Sequence, residues 1–250
     1  MTRRLAGLAV AAVWVATASA ESLVSTLSDA AVQITSNFTG EQIVVFGAVR
    51  GAPENPDPAY DVAVVVQGPD QDLIVREKGR VLGVWVNRAA REFERVPSYY
   101  AMHLSEGFTA AADPEQLRQY RLGVASLPFV DAAAASPTDS LFAQAVIDLK
   151  AARGLYERRD GEVRFLAPDV FRTTFFLPSQ IPTGEYRVSV YLFRGPTFLA
   201  GETQTLLIQK GGFSERIARA ADDRPLLYGL AAVGLAVFTG WFAGVIFRRP

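Results

Sequence analysis

IPTGEYRVSVYLF, residues 181–193, decides how the body of this chain is read. Tyr186, Val188, Val190 and Leu192 alternate with Arg187, Ser189, Tyr191 and Phe193, the period-two pattern of a strand with two distinct faces. The Pro182-x-Gly184-x-Tyr186 lead-in is common at the corner between late strands of immunoglobulin-like sandwiches. There a tyrosine hydroxyl bonds back to upstream backbone. Tyr186 is placed for that job. The chain has no cysteine, so the inter-sheet cysteine pair of antibody domains is absent.

Working outward, Val170–Leu177 and Thr203–Gln209 read as flanking strands. The first half offers Ala31–Ser36, Gln42–Val49, Asp61–Gln67, Leu73–Glu77, Val81–Asn87 and Glu92–Val96, short Val- and Ile-rich runs. They are separated by turn signals at Thr39-Gly40, 51–58, Gly68-Pro69-Asp70 and Lys78-Gly79. In Asp61–Gln67 both faces are apolar: Val62, Val64 and Val66 on one, Ala63 and Val65 on the other. Such a strand belongs inside a sheet covered on both sides. The middle switches period. Asp113-Pro114-Glu115 starts a short helix that Gly123 can end. A longer helix begins near Ser136-Pro137, with Leu141, Ala145, Leu149 and Ala152 as its apolar stripe, Phe142 and Val146 alongside, and an end at Gly154 or Gly161. The expected fold is mainly β: an immunoglobulin-like β-sandwich with a helical insertion at about 112–157, plus one C-terminal transmembrane helix. Without a disulfide, apolar burial must hold it together, at about 1.5–3 kcal/mol per large side chain.

The ends carry addresses. Arg3 and Arg4, the apolar run Leu5–Thr17 and Ala18-Ser19-Ala20 read as a signal peptide over 1–20. Leu226–Phe247 has no charged side chain and, at 1.5 Å per residue, makes a helix of roughly 33 Å, enough to cross a hydrocarbon core of about 30 Å. The expected organisation is therefore a periplasmic domain over 21–210, a juxtamembrane segment over 211–225, a span over 226–247 and a cytoplasmic tail over 248–250. That is a single-pass protein of the inner membrane. Arg248 and Arg249 agree with the positive-inside rule. Arg216, Arg219 and Arg224 weaken the bias, so the signal sequence decides orientation. Phe213, Ile217 and Ala221 could form a short helix on the outer leaflet or a solvated linker helix.

A net charge of −1 and a pI near 5.9 argue against nucleic acid as a partner. The absence of cysteine removes a thiol nucleophile, a haem-attachment motif and a thiolate zinc site. His103 is the single histidine, without a nucleophile-elbow motif near it, and reads as a surface or packing residue. Glu54, Asp57 and Asp61, like Asp70 and Asp72, lack calcium-loop spacing and read as turn carboxylates. Asn37-Phe38-Thr39 reads either as a glycosylation acceptor or as an ordinary turn. No catalytic residue, metal ligand or cofactor site is assigned. Trp85 reads as a core residue. Tyr99 and Tyr100 either pack in the core or form a partner or ligand surface. In the span, Ala232, Ala236, Gly240 and Gly244 recur at every fourth position and form a helix-packing face over which another helix could approach.

Several segments together resemble an alphaproteobacterial family of transmembrane proteins of unknown function. They are NFTGEQIVVFGAV (37–49), GVWVN (83–87), VPSYYA (96–101), LFAQAVIDLKAARGLY (141–156), LPSQIPTGEYRVSVYLFRG (177–195) and YGLAAVGLAVFTGWFAGVIFRR (228–249). The resemblance implies an exported domain with a C-terminal span, in a family whose members are often encoded near permeases resembling sulfite exporters. It transfers no functional residue. The leading expectation is a non-enzymatic accessory or assembly partner of an integral membrane protein, seated in the lipid bilayer and open to self-association through its span. Two alternatives are a periplasmic solute- or polymer-binding module that stacks ligands on Tyr99 and Tyr100, and a hydrolase built on carboxylates.

Overall fold

The computed structural model describes residues 21–35, 38–53, 59–81, 83–108, 114–211, 221–222 and 224–246. The expected signal peptide (1–20), Asn37, Glu54, Asp57, the Asp113 cap, Phe213, Ile217, Phe247 and the tail lie outside them.

Among the described residues eleven strands are formed: β1 Ser22–Leu27, β2 Ala31–Ile34, β3 Gly40–Arg50, β4 Tyr60–Gln67, β5 Asp70–Val81, β6 Val84–Pro97, β7 Tyr100–Ser105, β8 Tyr156–Ala167, β9 Val170–Pro178, β10 Gly184–Arg194 and β11 Thr197–Lys210. Nine of them make one curled sheet in the order β1-β3-β9-β8-β7-β4-β10-β11-β2, and β5 and β6 pair separately. The pairs β7–β8 and β11–β2 are parallel; the rest are antiparallel.

β8 joins what would otherwise be two layers. Its first half, Tyr156–Asp160, runs beside β7; its last residues pair with β9. Between the halves, Gly161 takes a φ of +77°, a conformation that costs glycine little and other residues much. The curl brings β1 over β11, where the Ser25 N–H and hydroxyl donate to the Glu202 carboxylate and Gln204 Nε2 donates to Ser25 Oγ.

The core lies inside the curl. All eight residues of β4 are buried, as its two apolar faces require. Val62, Val64 and Val66 share the inward face with His103 of β7, which stacks on Phe175 of β9. The outward face, with Ala63 and Val65, lies under the insertion: Val65 borders a recess shared with Tyr120 and Arg121. β10 shows the alternation expected of it, with Tyr186, Val188, Val190 and Leu192 buried. Phe193 is buried as well, because Phe108, Tyr120 and Phe198 cover its outward face. The Tyr186 hydroxyl donates to the Pro182 carbonyl at 2.5 Å, the backbone bond anticipated for it.

The insertion between β7 and β8 contains α1 Pro114–Gln119, a 3-10 turn Val124–Ser126, α2 Pro128–Ala133 and α3 Pro137–Ala152. Ser136 caps α3 by accepting from the Asp139 N–H, and Pro137 opens it. Gly154, at φ +66°, follows its end. The buried face is corrected by one position. Phe142, Ala143, Val146 and Lys150 face inward, whereas Leu141 is 73% and Leu149 57% exposed. Two adjacent apolar series run up this helix about 100° apart. The series with Phe142, Ala143 and Val146 packs inward, and at its end the Lys150 ammonium donates to the Ser98 carbonyl at 3.3 Å and sits over the Tyr156 ring.

A second correction concerns β5 and β6. Three short strands were expected over 73–96, with Lys78-Gly79 as a turn. Instead two long strands form, and Gly79 lies inside β5 opposite Val86. A Cβ there would fall 1.9 Å from Arg88 Cδ, so the glycine makes room for that side chain. The reversal lies at Gly83, φ +86°.

Candidate functional site

Two sites were expected, the small-residue face of the C-terminal helix and the Tyr99–Tyr100 pair. The first lies on α4, Pro225–Ile246. Over Pro225–Gly244 the mean hydropathy is 1.8 and no part is buried against the rest of the chain. This is long and apolar enough to cross a membrane. Ala232, Ala236, Gly240 and Gly244 follow one another along a single face, and a Cβ on Gly240 or Gly244 would meet nothing within 4 Å. Phe238, Trp241 and Phe242 cluster on the opposite side, with the rings of Phe238 and Phe242 stacked at 6.1 Å. Thr239 donates its hydroxyl to the Leu235 carbonyl, so its polar atom makes no demand on a lipid surround.

The second site is corrected. Tyr99 is 1% and Tyr100 0% exposed. Tyr99 packs beside Tyr186 at 6.0 Å and donates its hydroxyl to the Phe176 carbonyl across the core. Tyr100 faces the insertion, donating to the Arg121 carbonyl and accepting from the Gly123 N–H, both at 2.8 Å. It thereby pins the approach to the 3-10 turn onto β7. Burial pushes the pKa of both hydroxyls well above the ordinary tyrosine value. Neither ring offers a face to a solute or polymer, so the stacking platform of that alternative is lost. Trp85 is corrected in the other direction: it stands 66% exposed at the end of the β5–β6 ribbon. Residue type alone did not separate these cases, since aromatic size favours burial in all three.

His103 is buried beneath Phe175, with ring centroids 3.8 Å apart, and its Nδ1 lies 2.7 Å from Thr173 Oγ1. Burial first, and the nearby Arg159 charge second, pull its pKa down to about 4. It is a neutral packing residue at pH 7, without the open approach a general base needs. Lys150 is buried too, and desolvation, then Arg153, lower its pKa to about 8. Sequence reasoning missed this residue, because a lysine on a helix normally signals the solvent side.

The carboxylates serve local structure. Asp70 accepts from the Gln67 amide, and Asp72 accepts the N–H of Arg95, a residue held at φ +53°. Asp61 accepts from Ser105, whose hydroxyl in turn accepts the Val62 N–H. Glu106 and Asp160 border a cavity of about 830 Å³ beside Tyr60 and Arg164. Asp160 is engaged by Arg158 at 2.9 Å. Among the described residues no group of three or more His, Asp or Glu side chains gathers as a metal site.

A mainly β body with, among the described residues, one exposed apolar helix of spanning length defines a class: proteins with a folded domain and a C-terminal membrane anchor. Within that class the chain belongs to the family described as "Putative transmembrane protein (Alph_Pro_TM)", whose profile matches residues 22–249. No curated protein matches it.

Proposed function

We propose that this protein is a single-pass, membrane-anchored periplasmic protein that acts as an accessory or assembly partner of an integral membrane protein, with a permease as the partner class. The observation that carries the reading is α4: its apolar surface lies outside the fold, and one side of it is a row of Ala232, Ala236, Gly240 and Gly244. Lipid gives helices no hydrophobic reason to associate, so close approach over small residues is the contact such a face favours. In this reading residues 1–20 are a signal peptide, 21–210 the periplasmic domain, 211–225 the juxtamembrane segment, 226–247 the inner-membrane span and 248–250 the cytoplasmic tail. The body is of immunoglobulin-like type. The Tyr186–Pro182 bond supports that, as does the division of neighbours into β1-β3-β9-β8 and β11-β10-β4-β7.

Crosslinking from positions flanking Gly240 in native membranes, followed by mass spectrometry, tests the partner claim. Recovery of a polytopic membrane protein, reduced when Gly240 and Gly244 are changed to leucine, is the expected result. Monomer alone under efficient crosslinking contradicts it. An alkaline phosphatase fused after Gln209 is expected to be active; an inactive fusion overturns the orientation.

A further inference from the structure

The β4–β7 pair does not stop at the edge of the large sheet. Gln67 pairs with Tyr100, the Gly68 N–H bonds to the Tyr99 carbonyl, the Ser98 N–H bonds to the Pro69 carbonyl, and Asp70 pairs with Pro97. One antiparallel ladder thus runs out of the sheet as the β5–β6 ribbon. At 3.3–3.4 Å per residue the 12 residues of β5 reach about 40 Å. Near its base the ribbon is covered: Phe93 meets Phe129 of α2, and Arg91 pairs with Asp139 of α3. Its far end is uncovered. Val84 is 64% and Trp85 66% exposed, and Val86 is exposed beside them.

The ribbon leaves the body at the end from which the chain departs for α4. Gln67 of β4 pairs with Arg187 of β10, and the neighbouring Gly184 and Glu185 pair with Ile208 and Leu207, close to the β11 terminus at Lys210. Between Lys210 and Pro225 stand the 14 residues 211–224, of which Ala221 and Asp222 are helical, so that they reach roughly 45 Å at most. That upper limit is not shorter than the ribbon, so the linker allows the ribbon tip and α4 to meet one bilayer together.

The chemistry of the tip fits a lipid surface. Between residues 76 and 88 stand Arg76, Lys78, Arg80 and Arg88, all exposed, against one acid, Glu77. Arg80 lies directly across the ladder from Trp85, and Lys78 across from Asn87. A tryptophan and two valines ringed by cations match the interfacial layer, where indole favours the headgroup level and basic side chains reach anionic phosphates.

We infer that the β5–β6 tip is a second membrane contact, in which Trp85, Val84 and Val86 enter the interfacial layer of anionic lipids while Lys78, Arg80 and Arg88 bind their headgroups. The inference rests on the reading of α4 as a span, and the test separates the two. The full chain is reconstituted in phosphatidylcholine vesicles with or without phosphatidylglycerol. One variant has Trp14 and Trp241 changed to Phe, leaving Trp85; another has Trp14 and Trp85 changed to Phe, leaving Trp241. Trp85 fluorescence is expected to shift to the blue and to be lost to lipids brominated near the headgroup, in anionic vesicles and more strongly at low salt. Each of Lys78→Gln, Arg80→Gln and Arg88→Gln is expected to weaken the contact about fivefold, the equivalent of about 1 kcal/mol per charge. Trp85 open to aqueous iodide in both vesicle types, with Trp241 still quenched by brominated lipid, overturns the tip contact and leaves the anchor standing. Trp241 open to iodide overturns the anchor. Trp85 shielded from both quenchers, with photocrosslinking from position 85 to a second copy, assigns the tip to a protein surface and also overturns the inference.

Discussion

At position 103 a single imidazole is folded into the core in its neutral form. It stacks on Phe175 and meets Thr173, and its pKa is about 4 in place of the ordinary 6.5. The sign follows from linkage: the unfolded chain takes up the proton more readily than the folded one. The contribution is therefore complete above pH 6.5 and is lost as pH falls from 6.5 towards 4. The span of that loss is about 3 kcal/mol, at about 1.4 kcal/mol per pKa unit. Chemical denaturation of the wild type and His103→Gln across that range is expected to show a difference that shrinks on acidification. The imidazole signals in NMR are expected to titrate near 4; titration near 6.5 would contradict the buried geometry. The sequence permitted a packing role for His103 but could not give its depth, because that depends on β7, β8 and β9 closing around it. Tyr99 and Tyr100 illustrate the same limit. Their hydroxyls find carbonyls at Phe176 and Arg121, far along the chain, and no local pattern announces such partners.

At the scale of elements, what was legible had a local cause. β4, β9 and β10 follow from alternation or from apolar character on two faces, and the Ser136-Pro137 start of α3 follows from cap chemistry. β8 was hidden because Glu157, Arg158, Arg159 and Asp160 interrupt any apolar period, and its place is fixed by pairing with β7 and β9. β7 was hidden for a related reason: YAMHLS is buried throughout, so it has no alternation to read. On α3 the competition between two apolar series was settled by tertiary contact. That assignment predicts a sharp contrast. Phe142→Ala is expected to destabilise by about 3 kcal/mol or more, whereas Leu141→Gln, on the exposed face, is expected to change stability by no more than about 0.5 kcal/mol. Urea unfolding of the two variants measures this, and the reverse ranking would restore the stripe that the sequence suggested. Trp85 marks the boundary of pattern reasoning most clearly. Its alternating neighbours look like a strand, which they are, but a two-stranded ribbon has no second layer at its tip to cover them.

For the molecule as a whole, the folded body and the C-terminal helix are unequal in what they require. The body needs strands from both halves of the chain: β1 pairs with β3, β3 with β9, and β4 with β10. The anchor needs nothing beyond α4, which is why it was visible in the sequence at once. Its exposed apolar surface has no other cover among the described residues, and membership of a transmembrane family supports the same environment. Alkaline carbonate extraction of membranes carrying the full chain tests this most directly. The account predicts that the intact protein stays with the lipid pellet, while a chain ending at Gln209 is released; release of the intact protein into the wash would contradict it.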